Sequence, residues 1–163
     1  MNTGIPVRVG WTTPGSRDPF LVLDRNNNGA IDSGAELFGN FSPQPRPGRR
    51  ESKNGFLALG VFDKTAEGGN GDGRITSADR IYSSLKLWFD SNHDGISQAS
   101  ELFGLADYGV TSISLDYKVG KKTDEFGNLY RYRSPIAVTQ TTADPRRAAA
   151  RRLAFDVYLT YIK

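Results

Sequence analysis

The sequence predicts an α+β fold in which short helices pack on a small antiparallel β-sheet that ends in a C-terminal hairpin and a final strand. Three observations predict it. Helix-period apolar spacing is confined to the middle of the chain, period-two alternation takes over from residue 111, and three Asp/Asn/Gly-rich loops interrupt the first two-thirds. The 163 residues suit a single domain, large enough to bury roughly 70% of the surface that the unfolded chain exposes. Within it, residues 1–41 read as N-terminal strands and a first loop, 42–53 as an exposed connector, 54–107 as a helical part with two further loops, and 108–163 as hairpin and last strand.

Taken in order, "IPVRVGWT" and "FLVLD" read as short strands separated by the turn formers Pro14, Gly15 and Pro19. The Glu-Leu-Phe that closes the first loop is expected to form one helical turn. "SPQPRPGRRESK" is Pro-rich and basic, as an exposed connector should be. Asn54 is then placed to cap a short helix over Gly55 to Phe62. In "SADRIYSSLKLWFD", Ser77 can cap a longer helix whose Ile81, Tyr82, Leu85, Trp88 and Phe89 form an apolar stripe suited to the core. Residues 98–106 suggest another short helix. "TSISLDYKV" and "LYRYRSPIAV" form a hairpin around "DEFGN", with Tyr130 and Tyr132 on one face and Arg131 and Arg133 on the other. "LAFDVYLTYI" alternates as the final strand.

Composition excludes several function classes. No segment approaches the ~20 apolar residues of a membrane-spanning helix, and "MNTGIPVRVGWTTPG" holds no apolar run of signal-peptide length. With no cysteine there is neither a disulfide framework nor a thiolate zinc site. His93 is the single histidine, which leaves a Ser-His-Asp triad or multi-His zinc centre without support. The net charge of +3 hides a division: carboxylates gather in the loops, while Arg and Lys gather at 46–53 and 146–152.

The loops carry the chemistry. Calcium takes six to eight hard oxygens, and a short loop supplies them by placing carboxylates or amides at alternate positions, turning at a glycine, and closing with a late carboxylate. In "DSNHDGISQASELFG", an EF-hand-like loop, Asp90, Asn92 and Asp94 occupy positions one, three and five, Ile96 offers its carbonyl, and Glu101 falls at twelve. The earlier echo "DRNNNGAIDSGAELFG" offers Asp24, Asn26, Asn28, the Ala30 carbonyl, Asp32 and Glu36, the last one residue late. Both close with Glu-Leu-Phe-Gly, so Leu37/Phe38 and Leu102/Phe103 are expected to pin an outgoing helix into the core. A second loop in chain order, "DKTAEGGNGDGRITSAD", offers Asn70, Asp72, the Arg74 carbonyl, Thr76 and Asp79. Its first position is Gly68, so Asp63 fills that role if residues 64–68 bulge outward, with Glu67 as competitor.

Two or three Ca²⁺ ions are expected. Mg²⁺ is less suited because it demands a tighter octahedron, and lanthanides should also enter. Only about ten residues separate loops two and three, so one helix would serve both, placing those ions roughly 15–20 Å apart. Loop three is then free to pair with loop one.

"LVLDRNNNGAIDSGAELFGN", "NGFLALGVFD", "NGDGRITSAD" and "LKLWFDSNHDGISQASELFGLADYGVTSISLDYK" resemble calcium-binding segments of secreted bacterial RTX-type proteins. The resemblance is to the self-processing module of iron-regulated RTX proteins, over roughly residues 10–118. It implies an exported protein that folds on meeting external calcium. In that family an aspartate side chain attacks its own carbonyl at an Asp-Pro bond, and a lysine amine can capture the resulting anhydride. This sequence has Asp18-Pro19 and Asp144-Pro145, but the family's scissile bond precedes an Asp-rich loop without a counterpart here, so neither aligns with it. Autoprocessing at Asp18-Pro19 is the one enzyme-like option.

A second class of function is a basic surface for an anionic polymer, formed by Arg46, Arg49, Arg50 and Lys53 with Arg146, Arg147, Arg151 and Arg152. Nucleic acid is not the expected partner; the rest of a larger exported protein is. The reading that results is a calcium-binding module in which the ions act structurally. One methionine in the chain gives no sign of a Met-rich sensor groove.

Overall fold

The computed structural model describes residues 18–49, 52–139 and 152–160. The "IPVRVGWT" segment, Asp144-Pro145, and Arg50, Arg146, Arg147 and Arg151 lie outside them. Eight strands run through the described residues: β1 (Phe20–Val22), β2 (Arg74–Thr76), β3 (Lys86–Trp88), β4 (Leu102–Gly104), β5 (Val110–Ser114), β6 (Lys118–Thr123), β7 (Leu129–Val138) and β8 (Arg152–Tyr158). They form two antiparallel sheets, one in the order β1-β3-β4 and one in the order β2-β5-β7-β6, with β8 also on β7. Ile136 pairs with both Ile113 and Arg152, and Leu129 with both Thr123 and Tyr158. Strands β5 and β6 therefore share one edge of β7, and β8 takes the other.

This architecture overturns the expected α+β class. Among the described residues the helical content is one five-residue α-helix, α1 (Gly55–Leu59), and 3₁₀ turns of three or four residues. Asn54 does cap α1, its side chain accepting from Leu57 N at 2.9 Å, but the helix stops at Gly60 instead of reaching Phe62. The expected long helix from Ser77 is replaced by a 3₁₀ turn at Arg80–Ser83 followed by β3. Tertiary pairing wins over local propensity there: β3 is the central strand of its sheet, bonded to β1 on one edge and β4 on the other. The helix expected at 98–106 is likewise two 3₁₀ turns flanking β4.

The hydrophobic residues sort by strand period. Val22 and Leu23 are consecutive, as are Leu87 and Trp88, and each pair divides between two clusters on opposite sides of the three-stranded sheet. One cluster joins Leu23, Leu59, Ile75, Leu85, Leu105, Val110 and Ile113. The other joins Val22, Ile31 and Trp88 beneath the loops. Leu37 and Leu102 pack on the second cluster, and Phe38 on the first. Leu37, Phe38 and Leu102 thus pin the chain as expected, but from a bridge and a strand, not from helices, while Phe103 packs outside both clusters against Phe89 and Tyr108.

The C-terminal elements follow the expected alternation in part. The segment "TSISLDYKV" divides into β5 and β6, and β6 joins β7 through the turn at Asp124, whose carboxylate accepts from the backbone N–H groups of Phe126 and Asn128. The two tyrosines do not share a face. A bulge puts Tyr130 opposite Val157 but Tyr132 opposite Asp156, so one extra residue on β7 flips the alternation. Tyr130 meets Phe155, whose cross-strand partner is Arg133, while Tyr132 is buried against Tyr117.

Strand β8 is tied to α1 by Asp156, whose carboxylate accepts from Gly55 N at 2.9 Å. Burial pushes its pKa up from 3.8, and the Gly55 hydrogen bond only partly counters this. The folded state thus holds this proton more tightly than the unfolded chain. The group favours folding below its unfolded pKa, and that contribution is lost as pH rises through the folded pKa. Asp156→Asn keeps an acceptor for Gly55 and removes the charge. In chelator, its stability relative to the parent should increase as pH rises from about 4 to about 7, which urea unfolding across that range would test.

Candidate metal centre

The three loops fold on one hydrogen-bond plan. At position one, the Asp24, Asp63 and Asp90 carboxylates accept from the N–H of Gly29, Gly73 and Gly95 at 2.8, 3.0 and 3.2 Å. At position three, the side-chain oxygens of Asn26, Asn70 and Asn92 accept from the N–H two residues on at 3.0, 3.1 and 3.0 Å. At position five, Asn28, Asp72 and Asp94 accept from Ala30, Arg74 and Ile96 at 2.9, 2.9 and 2.8 Å. Those last three are the residues whose carbonyls the sequence assigned as ligands. Each side chain therefore holds its own turn, as Asx residues do, in the same order in all three loops.

The closing carboxylates are buried: Glu36, Asp79 and Glu101 are 2%, 2% and 7% exposed. Glu36 accepts from Arg25 N at 3.2 Å and Glu101 from Ser91 N at 2.9 Å, the equivalent residue in its loop. Leu23 N to Glu36 O and Phe89 N to Glu101 O close the two loops alike, at 2.9 and 3.0 Å. The extra residue of loop one is absorbed by a capping box, in which Glu36 also takes the N–H of Ser33. Asp79 is shorter and reaches Asn70 N at 3.1 Å and Thr76 N at 2.7 Å.

The two candidates for the first position of loop two are placed differently. Thr65–Glu67 form a 3₁₀ turn that carries residues 64–68 outward, Glu67 is exposed, and Asp63 is 8% exposed with both carboxylate oxygens on the loop. Gly69 makes this possible. A Cβ there would stand 2.2 Å from the Asp63 carbonyl carbon, so only glycine lets the chain fold back this closely.

Loops one and three are related by an internal twofold. In the β1–β3 pair Leu21 faces Leu87, with Phe20 opposite Trp88 and Val22 opposite Lys86. The same separation of 66 residues recurs at Ile31 and Ser97, where Ser97 Oγ accepts from Ile31 N at 2.6 Å and donates to Ile31 O at 3.3 Å. Loop three is thus led in by strand β3, which removes the expected shared helix and the ion spacing drawn from its rise.

The donor set is one of hard oxygens. Among the described residues no group of three or more His, Cys, Asp or Glu side chains is arranged to hold a metal by itself. Each loop instead combines three carboxylates with amide and backbone oxygens. Amide nitrogens meet the carboxylates across the loops: Asn28 to Asp32 at 2.7 Å, Asn70 to Asp72 at 2.9 Å and Asn92 to Asp94 at 2.9 Å. A cation would take over those anionic oxygens once the amides turn their own oxygens inward. The hydrogen bond from Ile96 N, with those from Gln98 and Asn92, holds the Asp94 pKa below its ordinary value against slight desolvation.

Gln98 escaped the sequence reading. It stands as far from Asp90 as Asp32 does from Asp24, donates to Asp94 at 2.8 Å, and leaves its Oε1 buried without a hydrogen-bond partner. A buried acceptor in that condition suits a cation or its water. Aligning the two loops by their first aspartates would have found it. The Trp88 indole donating to Glu101 at 3.3 Å is a second such residue, visible only once β3 is known to be a strand.

Other sites are weaker. His93 is exposed at a left-handed turn position, φ 57°. A cavity of about 460 Å³ lies between β1, α1 and β8, but it is mainly apolar, and Asp156 and Tyr158 are its titratable lining residues. Among the described basic residues, Arg46, Arg49, Lys53 and Arg152 are exposed.

A family model described as SPM domain matches residues 1–152. Iron-regulated protein FrpA of Neisseria meningitidis serogroup C is 39% identical over 141 residues, which cover 86% of this chain and 12% of FrpA. No described helix is long and apolar enough to cross a membrane. With the family match running over nearly its whole length, the chain belongs to the SPM domain family.

Proposed function

We propose that the chain is a calcium-binding module of an exported bacterial protein, in which the ions act structurally and drive folding. The observation that carries this reading is the single hydrogen-bond plan of the three loops, which recurs although loop two takes its first aspartate from across an outward turn. Turn formation alone explains one Asp/Asn/Gly loop. It does not explain why each plan also ends on a buried carboxylate brought back to the start of its loop. Each loop carries three carboxylates, and a divalent ion that draws them together offsets their mutual repulsion. Because the unfolded chain has no such site, the binding free energy adds to folding stability.

Ca²⁺ is the cation of choice, with two or three ions bound through Asp24, Asn26, Asn28, the Ala30 carbonyl, Asp32 and Glu36; Asp63, Asn70, Asp72, the Arg74 carbonyl, Thr76 and Asp79; and Asp90, Asn92, Asp94, the Ile96 carbonyl and Glu101. The partner proposed is the remainder of a larger protein, in keeping with the small share of FrpA that the chain spans.

Calorimetric titration of chelator-stripped protein should show two or three calcium sites of roughly micromolar to sub-millimolar affinity. Absence of binding would reduce the loops to turns. Asp63→Asn should remove the loop-two site and Glu67→Gln should leave it intact. Gly69→Ala should also abolish that site, at a stability cost of about 1–3 kcal/mol from the forced backbone shift, measurable by urea unfolding.

A second reading is calcium-triggered cleavage at Asp18-Pro19. In its favour, this dipeptide leads straight into β1 and loop one, and Asp18 is exposed. The intact mass after calcium addition decides: cleavage should split the chain at that bond, and an unchanged mass removes the proposal.

A further inference from the structure

We infer that loops one and three form one cooperative unit in which Ser97 is the coupling residue; the inference rests on the calcium reading above. Ile31 lies between the Ala30 carbonyl and Asp32, both assigned to the ion of loop one. Ser97 lies between the Ile96 carbonyl and Gln98, in the same places in loop three. The two residues are 6% and 8% exposed, and the Ser97 hydroxyl clasps both the N–H and the carbonyl of Ile31. The contact is buried and uses both polar groups of one peptide segment, so neither loop can shift its ligand carbonyl without disturbing the other.

The twofold places this clasp at one end of the loop pair and the Leu21–Leu87 pair at the other. Ile31 and Trp88 share one cluster with Val22, and the Trp88 indole holds Glu101, so the closing carboxylate of loop three touches the core that loop one organises. An ion in either loop orders the Ile31–Ser97 segment, and the second ion then meets a loop that is already ordered. Loop two shares neither contact. It is held by β2 against β5 in the other sheet, and its ion binds independently.

The test is a double-mutant cycle on the full chain, using calcium alone as ligand. Loop three is followed by the emission of Trp88, with Trp11→Phe in every protein so that Trp88 is the one fluorophore of its kind. Glu36→Gln silences loop one. With Ser97 present, this should weaken calcium binding at loop three by about tenfold, within the ~5–150-fold span of such couplings. In the Ser97→Ala background the same change should have no effect, and Ser97→Thr, which keeps the hydroxyl, should restore it. A loop-three affinity indifferent to Glu36→Gln overturns the coupling, and coupling that survives Ser97→Ala overturns the role of Ser97. If Ser97→Ala does not fold, the comparison with Ser97 intact still decides the coupling, and Ser97→Cys, which fills the space with a weak donor and acceptor, should then reduce it; coupling unchanged in Ser97→Cys overturns the role of Ser97. Calorimetry showing no calcium uptake by the parent removes the calcium reading itself, an outcome distinct from binding without coupling.

Discussion

The antiparallel pairing of β1 with β3 is the constraint on which the rest of the structure depends. It joins residues far apart in sequence, aligns Leu21 with Leu87, and brings two loops of the same design side by side. Once the strands pair, Val22 and Trp88 face one side and Leu23 and Leu87 the other, so both hydrophobic clusters form around the same short sheet. Without the pairing neither strand has enough length or cover to persist: each is three residues long, and isolated two-stranded ribbons are marginal in water.

The loops depend on this sheet and also complete it. Their side chains satisfy the backbone N–H groups that a tight turn would leave without partners, and the buried Glu36, Asp79 and Glu101 return the chain to its starting point. The arrangement places three carboxylates in each oxygen-lined loop, and among the described residues none of them forms an ion pair within 4 Å. Among the described residues the one ion pair within 4 Å joins Lys118 and Asp116, far from the loops in sequence. Arg25 follows the same logic. Burial lowers its pKa while the field of Glu36 raises it, and it lies over Phe38 and Phe62 with Nε on the Ala35 carbonyl. It joins loop one to the larger cluster through the phenylalanine that follows the shared Glu-Leu motif.

Much of the candidate site was legible because turn chemistry is local. An Asp, Asn or Gly two residues from another forms its turn from its own side chain and the next amides, so spacing alone located the positions of loops one and three. The outward bulge that brings Asp63 onto loop two was also legible, although the Gly69 backbone approach that permits it was not. Gln98 was missed because the reading followed a single-loop pattern and did not superpose the two copies.

The fold was less legible, and the reason is specific. Leu85, Trp88 and Phe89 fit a helical stripe while Leu85 and Leu87 fit the period of a strand, and nothing within "SSLKLWFD" decides between them; the two neighbouring strands that satisfy its backbone do. Likewise, no local signal marks the bulge that separates Tyr130 from Tyr132, since it is defined by the register of β7 against β8, with β6 on the other edge. Local chemistry therefore determined where the chain turns and which oxygens it gathers. Long-range hydrogen bonding decided whether the segments between turns became helix or strand, and which loops met, because short apolar runs acquire a conformation only from the partner that buries them.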